Sequence, residues 1–160
     1  MMINFVKQPN ILGLAFLFTF VMAVYGGLLS LDGMKEWYPS LTKPFDIPIW
    51  LFGVVQLVYY CICITIIYRL YSRLEKSRIR SISISLFAFM MVFAESWNYF
   101  FLGQKSISLG FWLILVFYLI VLAVYFILRK VDRLSSLILA PYLIWLLVDI
   151  IWLFKLWQVN

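Results

Sequence analysis

The chain has 160 residues, of which 66% are hydrophobic and 12% are charged, and its net charge is +6. Soluble domains are about half apolar and about a quarter charged, so the composition excludes a soluble globular protein and indicates an integral membrane protein. The sequence contains no histidine, which excludes imidazole metal ligands, an axial histidine on a haem and histidine acid–base catalysis. The positive charge lies in short segments between apolar runs, so we interpret it as a topology signal and expect no nucleic-acid partner.

Five apolar runs are each long enough to cross about 30 Å of hydrocarbon as a helix. We therefore expect one all-α domain over residues 1–160, an integral membrane bundle of five transmembrane helices in a lipid bilayer. The predicted spans are residues 9–29, 47–68, 82–102, 107–128 and 134–156, and residues 30–46 are predicted to form an outer loop.

Basic residues are distributed unequally between the two sides of this arrangement. The larger set comprises Lys7, Arg69, Arg73, Lys76, Arg78, Arg80, Arg129, Lys130 and Arg133. Because basic residues favour the cytoplasmic side, the N-terminus is predicted to be cytoplasmic and the C-terminus outside. We expect a multi-pass protein of a bacterial cell membrane.

The predicted fifth span carries a polar and aromatic stripe. Tyr142, Trp145, Asp149 and Trp152 are separated by three, four and three residues, which places them on one helical face. A carboxylate is costly in lipid, so this face is expected to turn toward protein or a water-filled cavity. The stripe is the first indication of a ligand site.

A second carboxylate, Glu95, lies roughly 10 Å deep in the third span, and Asp149 lies roughly 12 Å deep from the same side. Asn98 shares the helical face of Glu95, and Gln56 and Tyr60 add polar groups from the second span. Three interpretations stay open. The carboxylates line a ligand site, or they are protonated or paired with lysines for structure alone, or Asp149 lies close enough to the surface to be solvated. In the first span, adjacent glycines at 26 and 27 would allow close approach to another helix.

Three motifs follow one another along these spans: W-Y-P-S-L-T-K-P in the outer loop, a tryptophan-rich end of span three, and P-Y-x-x-W in span five. The positions are Trp37, Tyr38, Leu41, Lys43, Pro44, Pro48, Trp97, Phe101, Gly103, Pro141, Tyr142, Trp145, Trp157 and Asn160. This order resembles the TspO/MBR family of translocator proteins, also called tryptophan-rich sensory proteins or peripheral benzodiazepine receptors.

The resemblance implies a pocket near the outer helix ends, beneath the first loop, that binds tetrapyrroles such as protoporphyrin, synthetic aromatic ligands or sterol-like molecules. It also implies a homodimer. Together with the polar residues above, it gives a predicted ligand site of Trp37, Tyr38, Pro44, Gln56, Tyr60, Glu95, Trp97, Asn98, Tyr142, Trp145 and Asp149. We expect no required cofactor, no metal site and no catalytic residue, with a porphyrin as the candidate bound molecule.

The sequence departs from the family pattern at several places, which include Asp46 in place of the aromatic residue after K-P and Trp152-Leu153 in place of L-N in span five. The second-span tryptophan is replaced by Gln56 or Leu57, the family's N-W-x-W reads A-E-S-W at residues 94–97, and a small residue in span five becomes Asp149. We hypothesise that Glu95 and Asp149 face one pocket and shift its preference toward cationic or hydrogen-bond-donating ligands.

The leading functional prediction is a membrane binding or sensory protein for a hydrophobic aromatic ligand. The first alternative is a small transporter or exporter with a carboxylate site for a cation or proton. The second is a tryptophan-dependent enzyme that degrades porphyrin. We favour a binding protein over an enzyme because no nucleophile–base pair, phosphate loop or metal cluster is visible in the sequence.

Overall fold

Helices make up almost all of the structure, a computed structural model that describes residues 9–45, 47–73 and 77–160. The elements are α1 (Pro9–Asp32), a π-helical turn (Gly33–Trp37), α2 (Tyr38–Ser40), α3 (Ile49–Arg73), α4 (Arg78–Asn98), a second π-helical turn (Tyr99–Gly103), α5 (Ile107–Val131) and α6 (Arg133–Val159). Within the described residues there is no strand, and five helices are long and apolar enough to cross a membrane. The predicted all-α membrane bundle is confirmed.

The first span is longer than its apolar run predicts. Helical structure continues from α1 through Ser40, so the non-helical connection to α3 begins at Leu41 and is shorter than the predicted loop 30–46. The helix continues past Pro39, which lies in α2 directly after the π-helical turn. Proline has no backbone N–H, so one backbone hydrogen bond is missing at this point of the helix.

The outer faces of the helices are strongly apolar. Leu28 is 69% exposed, Trp50 67% and Ile144 67%. Such side chains need no protein partner in hydrocarbon, whereas their exposure to water would be costly. The surface of the bundle is therefore suited to a lipid bilayer.

Two glycines allow α1 to pack closely against α4 and the turn that follows it. A Cβ atom at Gly26 would lie 1.6 Å from Glu95 Oε2, and one at Gly33 would lie 2.0 Å from the Leu102 carbonyl oxygen. From the first contact to the second, the residue number rises by seven in each helix, from Gly26 to Gly33 and from Glu95 to Leu102. The two helices therefore run in the same direction. Small residues permit this backbone approach in membrane bundles.

At one end of the bundle, Asn160 holds the connection between α2 and α3. The backbone N–H of Thr42 donates to Asn160 Oδ1 at 2.9 Å, and Asn160 Nδ2 donates to the Thr42 carbonyl oxygen at 2.9 Å. Nδ2 also donates to the carbonyl of Leu156 at 2.9 Å. The first connection is thus tied to the end of α6.

At the opposite end, an ion pair joins α3 to the α5–α6 junction. Arg69 Nη2 donates to Asp132 Oδ1 at 2.7 Å and Arg69 Nε donates to Asp132 Oδ2 at 2.8 Å. Ser135 Oγ also donates to Asp132 Oδ2 at 2.6 Å. Partial burial alone would raise the pKa of Asp132, but the hydrogen bonds from Arg69 and Ser135 outweigh it, so the pKa is lowered.

Candidate functional site

A cavity of about 290 Å³ lies among the five long helices, toward the end of the bundle at which the α2–α3 connection sits. Small-molecule sites typically enclose about 300–1,000 Å³, so this cavity is at the lower end of that range. Nine of its described lining residues carry aromatic rings: Tyr38, Phe52, Tyr60, Trp97, Phe101, Phe117, Tyr142, Trp145 and Trp152. The arrangement can enclose a flat, apolar ring system.

Trp152 of α6 is the centre of this aromatic wall. Its ring centroid lies 5.5 Å from that of Phe52, 6.0 Å from that of Tyr38 and 6.3 Å from that of Phe101. Phe52 in turn meets Trp145 edge to face at 6.5 Å. Edge and tilted contacts of this kind are favourable between aromatic quadrupoles, so they hold the wall in a defined shape.

Glu95 lies directly behind the cavity wall and is 1% exposed. Tyr60 Oη donates to Glu95 Oε1 at 2.9 Å, and Asn98 Nδ2 donates to Glu95 Oε2 at 3.0 Å. The same carboxylate packs against Gly26 of α1. Because both oxygens are engaged, Glu95 links α1, α3 and α4 and orients two residues of the wall.

Asp149 differs from Glu95 because it lines the cavity itself. Its Oδ1 atom is buried and has no hydrogen-bond partner among the described residues. Trp145, one helical turn earlier, interacts with the same carboxylate. Trp152, three residues later, has a buried Nε1 that likewise lacks a partner in the described part of the chain.

The structure brings most of the predicted site residues together. Those on the cavity wall are Tyr38, Gln56, Tyr60, Trp97, Asn98, Tyr142, Trp145 and Asp149. Trp37 packs behind the wall, edge to face on Phe101 at 5.5 Å. Pro44 lies in the α2–α3 connection, beside Lys43, whose ammonium is 5.1 Å from the centre of the Tyr38 ring. Their role in binding a ligand stays a prediction.

Sequence reasoning did not include several wall residues in the site. Phe52 and Trp152 contribute rings, and Gly27 and Gly53 contribute open space, since a Cβ at either glycine would meet nothing within 4 Å. Trp152 could have been included, because it shares the helical stripe with Asp149. No signal in the sequence distinguishes the two glycines from glycines elsewhere in the spans.

A second cavity of about 330 Å³ lies among α1, α3 and α4 toward the other end of the bundle. Its walls are almost wholly apolar, with Phe18, Leu70 and Phe87 among them. None of its described lining residues has an unpaired buried polar atom. Across the described residues, no cluster of acidic or cysteine side chains could hold a metal ion. The aromatic cavity is therefore the candidate site.

Comparison with known proteins gives two findings. The profile of the TspO/MBR family matches residues 15–158. Protein CrtK of Rhodobacter capsulatus is 27% identical over 125 residues, which cover 78% of this chain and 78% of that protein. The family match spans most of the chain and agrees with the five apolar helices. This multi-pass membrane protein belongs to the TspO/MBR family.

Proposed function

We propose that the protein binds a hydrophobic aromatic ligand, a tetrapyrrole such as protoporphyrin, in the aromatic cavity. The observation that supports this proposal is the wall of rings contributed by several different helices around one space. A flat ring system gains from burial of apolar area and from aromatic contacts at once. Membership of a family of tryptophan-rich sensory proteins agrees with a binding role.

A tetrapyrrole is larger than the enclosed space, so part of it extends beyond the cavity. Gly27 of α1 and Gly53 of α3 both line the cavity, and open space lies beside each of them. The ligand edge therefore projects between α1 and α3, where lipid chains surround it. Burial in a partly open groove suits a rigid apolar disc.

The test is a protoporphyrin titration of the detergent-solubilised protein, followed by tryptophan fluorescence. Saturable quenching with recovery of unchanged porphyrin supports a binding protein, whereas consumption of porphyrin supports the enzyme alternative. Trp145→Ala removes part of the wall and is expected to weaken binding by on the order of 1–3 kcal/mol, from lost area and ring contacts.

Trp50→Ala is the matched control, because Trp50 is 67% exposed and does not line the cavity. Its affinity for protoporphyrin is expected to equal that of the unchanged protein. Equal affinities for the Trp145 and Trp50 variants, both folded, would remove Trp145 from the site.

Transport is the second candidate function, and the observation that favours it is the unpaired carboxylate oxygen of Asp149 within a span, which has no partner among the described residues. Carboxylates inside membrane proteins often belong to proton or cation pathways. A transporter would move ligand into proteoliposomes with a pH dependence that Asp149→Asn abolishes. Uptake equal to that of empty liposomes at every pH excludes this role.

We also propose that the protein is a homodimer in a bacterial cell membrane with its N-terminus in the cytoplasm. The resemblance to a bacterial relative supports the location, and the unequal distribution of basic residues supports the orientation. Cross-linking in membranes followed by mass measurement tests the dimer.

A further inference from the structure

Asp149 and Trp152 both line the cavity, and each has a buried polar atom that lacks a hydrogen-bond partner among the described residues. Asp149 Oδ1 is an acceptor and Trp152 Nε1 is a donor. Trp152 is only 2% exposed, and its indole N–H is closed to solvent. Buried polar groups are nearly always hydrogen-bonded in folded proteins, so two exceptions in one cavity require an explanation.

Other polar side chains of the wall are already engaged. Tyr60 and Asn98 donate to Glu95, and Gln56 interacts with Tyr60. Trp97 Nε1 donates to the carbonyl oxygen of Gly110 at 2.9 Å. These wall groups are therefore committed within the protein, whereas Asp149 Oδ1 and Trp152 Nε1 have no such partner among the described residues.

We propose that Asp149 and Trp152 together bind one edge of the ligand, an edge that carries an N–H donor beside a carbonyl acceptor, as in a lactam. The N–H of the ligand donates to Asp149 Oδ1, and its carbonyl accepts from Trp152 Nε1. Residues three apart on a helix have Cβ atoms about 5–6 Å apart, so one amide edge can reach both. This inference rests on the proposed function, since it specifies which aromatic ligands the cavity prefers.

A donor–acceptor edge fits the two atoms better than a cation does. An ammonium group would pair with Asp149 but would leave Trp152 Nε1 without an acceptor, and a buried unpaired donor is costly. Glu95 does not add a second charge at the wall, because both of its oxygens are engaged behind it. We therefore expect Asp149 and Trp152, and not the carboxylate pair of Glu95 and Asp149, to determine which ligands the cavity prefers.

Three probes of nearly equal shape test the inference: quinolin-2(1H)-one has the donor and the acceptor, 1-methylquinolin-2-one has only the acceptor, and naphthalene has neither. We expect the lactam to bind the unchanged protein about tenfold more tightly than its N-methyl analogue, from one hydrogen bond. Asp149→Leu should remove this preference while naphthalene binding stays within about twofold.

Trp152→Phe tests the indole donor independently of Asp149. It keeps an aromatic ring but removes the N–H, so lactam affinity should fall by about tenfold relative to naphthalene affinity. Asp32→Leu is the matched control for Asp149→Leu, because Asp32 is an exposed carboxylate that does not line the cavity. The lactam preference should be unchanged in that control.

Two cavity variants separate failure of this inference from failure of the proposed function. Gly27→Leu fills the cavity wall and should abolish binding of all three probes, whereas Gly13→Leu on the same helix, which has open space but lies outside the cavity, should not. Naphthalene binding that is insensitive to Gly27→Leu overturns the proposed site itself.

If Gly27→Leu abolishes naphthalene binding but the lactam has no advantage over its N-methyl analogue, only the donor–acceptor inference fails. If protonated 1-naphthylmethylamine binds more tightly than the lactam and loses this advantage in Asp149→Leu, Asp149 acts as an ion-pair partner and the inference is also overturned. Melting temperatures in detergent establish that each variant is folded.

Discussion

At the scale of single residues, Gly26 is a position where the structure leaves no room for a side chain. A Cβ there would lie 1.6 Å from Glu95 Oε2, so Gly26→Ala must displace either the carboxylate or α1. Displacement of Glu95 would break its hydrogen bonds with Tyr60 and Asn98. We expect the variant to lose about 1–3 kcal/mol of stability, measured by thermal unfolding in detergent.

Gly13→Ala is the control for that prediction, because a Cβ at Gly13 meets nothing within 4 Å. Alanine is a better helix former than glycine, so this variant should melt at the same temperature or slightly higher. Gly26→Ala combined with Glu95→Ala should cost less than the sum of the two single changes, since they share one contact. Equal melting temperatures for the two glycine variants would contradict the packing shown by the structure.

Both carboxylates of the candidate site could be identified from the sequence, because charged groups within spans are rare and costly. Their different environments could not be predicted. Glu95 lies behind the wall because Tyr60 and Asn98 reach its two oxygens, whereas Asp149 Oδ1 has no such neighbour among the described residues. Helical spacing fixes the face of one helix, but it does not say which groups another helix brings to that face.

At the scale of elements, the spans follow from the apolar runs, but the extension of the first helix to Ser40 does not. Proline disfavours helix in the residue before it, so the prolines of this segment favour a break. The helix nevertheless continues through the π-helical turn Gly33–Trp37 and past Pro39. This change in helical pitch accompanies the packing of Gly33 against Leu102 of the second π-helical turn, a contact that local sequence does not encode.

The ion pair between Arg69 and Asp132 gives a prediction about the junction of α5 and α6. Arg69 is 8% exposed, so Asp132→Asn leaves a largely buried guanidinium without its counter-charge. Loss of one partner of a buried pair typically costs about 3 kcal/mol or more. We expect a lower melting temperature for Asp132→Asn, and a smaller decrease for the double variant with Arg69→Met.

The same pair predicts how stability depends on pH. The pKa of Asp132 is lowered in the folded protein, so its contribution is complete above the ordinary value of about 4 and is lost as pH falls through the lowered pKa. As pH is lowered from about 7 to about 3, the melting temperature of the unchanged protein should fall more steeply than that of Asp132→Asn. Parallel profiles would mean that Asp132 does not contribute to acid sensitivity.

At the scale of the whole molecule, the fold places the basic segments at one end. The Arg69–Asp132 ion pair brings the end of α3 to the α5–α6 junction, and α4 begins at the same end with Arg78 and Arg80. If this end is cytoplasmic, Ser77→Cys should react with an impermeant thiol reagent only after the membrane is made permeable. Ser40→Cys, at the opposite end, should react in intact cells, and the reverse pattern would invert the orientation.

The bundle as a whole could be predicted from composition and run length, but the arrangement of its helices could not. Core-facing and lipid-facing sides of these helices are both apolar, as the exposed Leu28 and the buried Leu146 illustrate. A helix that lacks a polar stripe such as that of Tyr142, Trp145 and Asp149 therefore carries no sequence signal for the direction of its packing. The parallel contact of α1 with α4 through Gly26 and Gly33 is therefore visible only in the structure.

The tie between Asn160 and Thr42 has a consequence for how the proposed ligand would arrive. That tie holds the α2–α3 connection against α6, whereas open space lies beside Gly27 and Gly53. If the ligand enters there, between α1 and α3, it first dissolves in the bilayer, where partitioning concentrates it far above its level in water. The occupancy of the cavity then depends on the moles of ligand per mole of lipid. Dissociation constants measured in different detergents or vesicles can be compared only when they are expressed as this mole ratio.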